Sequence, residues 1–159
     1  MYDDSRGPGL LSIISLILAL VALGLAGWTF YRSEFAETSY DPVQIADAKT
    51  EVCTAVDVVR RGVSLNTNLA PAGGPQDVTG AQAVAANARV SLYDGGQYLM
   101  ARLNPATPEH LAEVVREFAD NLMDIGANAT AGEPNDNPEQ AERLKAADEA
   151  NTTLTELCK

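Results

Sequence analysis

The chain has 159 residues and a net charge of −11, from 22 acidic and 11 basic side chains, room for about one domain. A protein this acidic lacks the basic face that captures nucleic-acid backbone through counterion release, so no nucleic-acid partner is expected. Twenty-five residues are alanine and only 6% are aromatic; a core of such small side chains suits close-packed helices better than a β-sandwich.

The charge is unevenly spread. Residues 1–32 hold Asp3, Asp4, Arg6 and Arg32, which cancel, so the whole −11 lies in residues 33–159. No charged residue falls between Gly7 and Tyr31, and Leu10–Tyr31 is a near-continuous apolar run of 22. At 1.5 Å per residue a helix there spans roughly 33 Å, enough for the ~30 Å hydrocarbon core of a bilayer. Trp28 and Tyr31 stand at the headgroup end, followed by Arg32. A cleaved signal peptide is the competing reading, with Gly24-Leu25-Ala26 as the cleavage site. The weak basic n-region and the overlong apolar stretch favour an uncleaved single-span anchor instead. Within it Ser12, Ser15, Ala19, Ala22 and Ala26 recur at 3, 4, 3 and 4, a small-residue seam that suits close approach of a partner helix in lipid.

Cys53 and Cys158 are the only cysteines, and neither belongs to a metal-spaced cluster. A widely separated pair reads as a disulfide in an oxidising compartment; the alternative is two unrelated thiols in a cytosolic domain. The disulfide reading places residues 1–9 in the cytoplasm, 10–31 across the plasma membrane, 32–41 as a stalk and 42–159 as an extracytoplasmic, periplasmic helical domain.

That domain reads as a set of helices. Asp41-Pro42 is an N-cap followed by proline at the first helical position. Ile45, Ala48, Val52, Val56, Val59 and Val63 then form an amphipathic stripe. Pro71–Pro75 is a loop. Asp77–Leu103 is helical by composition, with Ala83, Val84, Ala88, Leu92, Leu99 and Leu103 facing inward. Its weak point is Asp94-Gly95-Gly96, which reads as a kink, a break or a close contact with a neighbouring helix. Thr107-Pro108-Glu109 starts the next helix as Asp41-Pro42 starts the first. Leu111, Val114, Val115, Phe118, Leu122 and Ile125 line its apolar face, and Gly132 ends it. Asn137-Pro138 opens the last helix, which carries Leu144, Ala147, Leu154 and Leu157. The expected fold is all-α: a transmembrane helix followed by a compact, roughly four-helix antiparallel bundle. In such a bundle the first and last helices are neighbours, which brings Cys53 near Cys158.

The chemical inventory is thin. His110 is the only histidine and has no nucleophile motif or companion ligands around it. Glu133, Asp136, Glu139 and Glu142 lack the register of a calcium-binding loop and read as a solvated turn. Arg60-Arg61 is too small for a basic patch. No catalytic, metal or cofactor site is expected, and the chain is not read as an enzyme. Tyr93, Tyr98, Met100 and Phe118, around the glycine pair, are the candidate lining of a ligand pocket.

The stretches Gly96-Gln-Tyr-Leu-Met-Ala-Arg-Leu-Asn-Pro-Ala-Thr-Pro108 and Asp124-Ile-Gly-Ala-Asn-Ala-Thr-Ala-Gly-Glu-Pro-Asn-Asp-Asn-Pro138, with Glu156-Leu-Cys-Lys159, resemble a group of small, alanine-rich, single-span membrane proteins of mycobacteria and related actinobacteria. The excess of Arg over Lys, eight to three, fits a high-GC genome. The resemblance implies an accessory subunit of a cell-envelope machine, such as a lipid importer of the Mce type. Two functions follow as expectations: an interaction subunit docking to an integral membrane complex, or an extracytoplasmic binding module for a small apolar ligand or lipid. An acidic outer domain is also repelled by anionic headgroups, so it is expected to need a partner to hold it at the membrane.

Overall fold

The computed structural model describes residues 9–35 and 39–159, with side chains over 13–31 and 39–159. Among them the chain forms α1 (Gly9–Phe35), α2 (Pro42–Thr67), α3 (Val78–Arg102), α4 (Glu109–Ala131) and α5 (Pro138–Leu157), and no strand. It divides into two units at Ser39 and Tyr40.

The first unit holds α1. Ile13–Tyr31 is long and apolar enough to cross a membrane and none of it is buried by the protein, a description that an anchor and a signal sequence both meet. The helix runs four residues past the apolar stretch, into the expected stalk. Ser33-Glu34-Phe35 contains no Pro or Gly to stop it. The expected N-terminal residues 1–8 and the stalk residues 36–38 lie outside the described residues.

In the second unit most helix starts follow the local chemistry. Asp41 accepts hydrogen bonds from the backbone N–H groups of Val43 and Gln44, and the Gln44 side chain accepts in return from the Asp41 N–H, a capping box with Pro42 at N1. Asp77 caps α3 through the Gly80 N–H, and Asn137 caps α5 through the Glu139 N–H. Helix α4 differs from the expectation. Pro108, not Thr107, occupies the cap position, and the Thr107 hydroxyl is buried without a hydrogen-bond partner. The helix ends at Gly132, whose φ of 98° is the left-handed conformation that glycine adopts without strain.

The glycine pair does not interrupt α3, so the close-contact reading is the right one. A Cβ on Gly96 would lie 2.6 Å from the Ala119 carbonyl oxygen of α4, and one on Gly95 would lie 2.9 Å from Val59 of α2. Helix α3 is wedged between two neighbours and uses one glycine against each. Gly126 of α4 repeats the device, with backbone atoms of Arg89 and Tyr93 within 3.2 Å of the Cβ position.

The cross-helix pairs fix an antiparallel register throughout. Arg102 of α3 pairs with Glu51 of α2 at 3.8 Å, while Gly95 meets Val59. Gln140 of α5 donates to the Ile125 carbonyl of α4. Cys53 is bonded to Cys158 with Cα atoms 5.6 Å apart, while Arg60 reaches Asn151. Sequential helices are therefore neighbours, and α2 meets α5 to close the bundle.

The core joins Val52, Ala55, Val56 and Val59 of α2, Leu92 and Leu99 of α3, the inner face of α4, and Ala147, Ala150 and Leu154 of α5. All six inward residues expected on α4 are buried. Three expected core positions are exposed instead: Ile45, which sits on the free first turns of α2, Ala83, and Leu144. Gln140 is fully buried and was not legible as core.

Candidate functional site

Helices α2 and α5 approach each other less closely than the other neighbours. Two clamps join them. One is the disulfide; the other is Arg60, whose guanidinium donates to the Asn151 side-chain and backbone oxygens and to the Thr155 hydroxyl at 2.5 to 2.8 Å. Asp57 stands 3.7 Å away. Burial pushes the Arg60 pKa below its ordinary value and Asp57 partly opposes this; a guanidinium so placed remains charged.

Beyond Arg60 a cleft of about 800 Å³ opens between all four helices. Its apolar wall includes Leu92, Phe118, Leu122 and Ile125, and small residues complete it: Ala85 and Ala88 on α3, Ala129 on α4 and Ala147 on α5. Val63 and Leu144 extend the apolar lining. The volume lies within the range of small-molecule sites, roughly 300–1,000 Å³.

Of the four residues expected to line a pocket, only Phe118 does so. Tyr93, Tyr98 and Met100 are exposed, at 47%, 38% and 39%. Tyr98 stacks under Arg102, with the guanidinium carbon 5.1 Å from the ring centroid. Around the glycine pair the space is taken up, with Val59 against Gly95 and with Ala119 and Met123 against Gly96.

Tyr93 and Met100 belong to a second feature. With Ala86 and Val90 they fall at intervals of four, three and seven, one exposed and mainly apolar stripe along the outer face of α3 in which Gln97 stands between Tyr93 and Met100. The charge around the bundle is asymmetric. Helices α4 and α5 carry ten acids against three bases, α2 is balanced, and α3 has Arg89 and Arg102 against Asp94. The stripe therefore lies on the flank of the domain, α2 and α3, that is not acidic.

Ser15, Ala19, Ala22 and Ala26 are exposed on α1, on the spacing of the expected seam; the Ser12 side chain lies outside the described residues. His110 is exposed, 3.8 Å from Glu113. Among the described residues no three His, Cys, Asp or Glu side chains converge. The sequence reading missed Arg60 and the cleft. Arg60 carried a signal, since it directly follows Val59 in the apolar stripe, as Asn151 follows Ala150. The cleft carried none, because it depends on which side chains meet across helices. Comparison of the chain with protein-family models, with curated proteins and with solved structures gives no match.

Proposed function

We propose that the protein is a membrane-anchored extracytoplasmic accessory subunit that docks to a larger cell-envelope membrane complex. The observation that carries this reading is the exposed α3 stripe, Val90, Tyr93 and Met100, on the non-acidic flank. Exposed aromatic and Met side chains on a surface depleted of charge have the composition of an interface core. The disulfide supports an oxidising compartment for the outer domain, with the N-terminus on the cytoplasmic side and α1 as the anchor. The resemblance to small actinobacterial membrane proteins implies the same role.

The test is mass spectrometry of proteins co-purifying with a chromosomally tagged copy, wild type against a Val90→Asp, Tyr93→Asp double variant. The wild type retains a specific integral membrane partner, and the variant loses it while its melting temperature is unchanged. Equal recovery from both overturns the docking face.

The cleft favours a second reading, an extracytoplasmic helical module that binds a small apolar ligand or lipid.

A further inference from the structure

The cleft holds a charge that the domain leaves unanswered. Arg89 is half-buried on its lining, and among the described residues no side chain or backbone oxygen bonds to its guanidinium. This happens in an outer region that carries 20 acids. An unpaired cation on the wall of a cleft with an apolar lining marks a place where an anion would be stabilised. The other cation on the lining, Arg60, is committed to Asn151 and Thr155. The two acids on the lining, Glu133 and Asp148, are exposed, and Glu133 already accepts from the Asn137 amide.

We propose that the cleft binds an anionic single-chain amphiphile. Its carboxylate or phosphate-monoester head sits on Arg89, and its chain lies against Leu92, Phe118, Leu122 and Ile125. The planar guanidinium suits two-oxygen recognition of either head. The apolar wall supplies the burial energy of the chain. A volume of about 800 Å³ is that of one drug-sized molecule, which fits one acyl chain rather than two. This inference rests on the binding-module reading and is independent of the docking face.

The experiment uses the full chain in phosphatidylcholine nanodiscs with three diazirine probes of equal chain length: a fatty acid, a lysophosphatidate and a fatty alcohol. Cross-linked peptides are mapped by mass spectrometry. The two anionic probes are expected to label cleft peptides of α3 and α4 roughly tenfold more than the alcohol, the scale of one charge-assisted contact. Whichever anionic probe labels more strongly identifies the head. Arg89→Gln removes the excess, Arg89→Lys keeps part of it, and Ala88→Phe, which fills the cleft, removes labelling by all three. Equal labelling of the cleft by acid, phosphate and alcohol overturns the anionic head and leaves an apolar site. Labelling confined to α1 overturns both this inference and the binding-module reading. Retention of the anionic preference in Arg89→Gln also overturns the assignment.

Discussion

Arg60 and Arg89 are both half-buried, and they differ in what answers them. Arg60 has three oxygens of α5 and a nearby carboxylate; it is a structural clamp. Arg89 has none, and its charge is available to a ligand. Replacing Arg60 by Met keeps the apolar stem but leaves the Asn151 amide oxygen without its donor. We expect a loss of about 1–3 kcal/mol, the cost of stranding a hydrogen-bonded polar group, read in chemical denaturation of the detergent-solubilised chain. Arg60→Lys recovers part of the loss, because an ammonium cannot reproduce the forked geometry. Stability unchanged in both variants would contradict the clamp. Arg60 was hard to read in the sequence for a physical reason. Beside Arg61 it looks like a surface pair, and only the helical phase shared with Val56 and Val59 turns it towards α5.

At the level of the helices, glycines with opposite surroundings give opposite expectations. Gly62 lies within α2 with open space around its Cβ position, so Gly62→Ala is expected to stabilise by about 0.8–1 kcal/mol through helix propensity. Gly96 lies against the Ala119 carbonyl and the Met123 side chain. Backbone cannot move aside as a side chain can, and Gly96→Ala is expected to destabilise by about 1–3 kcal/mol. Thermal unfolding of the two variants side by side checks the sign of each. The starts of α2 and α5 were legible because cap and proline act within a few residues. The course of α3 was not. Gly95-Gly96 is compatible with a break, and what keeps the helix whole is its tight packing between α2 and α4, which is tertiary information. The same holds for the exposed stripe. Tyr93 and Met100 looked like pocket residues near a glycine pair, yet the phase of a continuous helix turns them outward.

For the whole molecule, two compositional facts acquire a location. The alanine content becomes core, with Ala55, Ala112, Ala119, Ala147 and Ala150 buried beside Val52, Val56 and Leu154, in a bundle that opens away from the disulfide. The net charge becomes a flank, with α4 and α5 acidic and α2 and α3 close to neutral. The disulfide joins residues 105 apart. In the chain-entropy model a loop of that size contributes roughly 4–5 kcal/mol, a large share of the stability of an alanine-rich domain. Reduction, or a Cys53→Ser, Cys158→Ser double variant, is therefore expected to lower the melting temperature strongly, and no shift would contradict a structural bridge. The proposed docking surface is apolar rather than charged, so association with a partner there should persist when salt is raised to several times the physiological level, where the Debye length falls to a few ångströms.

The most direct test of the account is the native mass of the particle that carries this chain, extracted from its own membrane in mild detergent at native expression. A docking subunit appears in an assembly much larger than 16.8 kDa, and the Val90→Asp, Tyr93→Asp variant is released from it with its disulfide intact. A lone wild-type monomer, or a variant that stays in the assembly, would contradict the claim that the non-acidic α3 face is where this protein meets its partner.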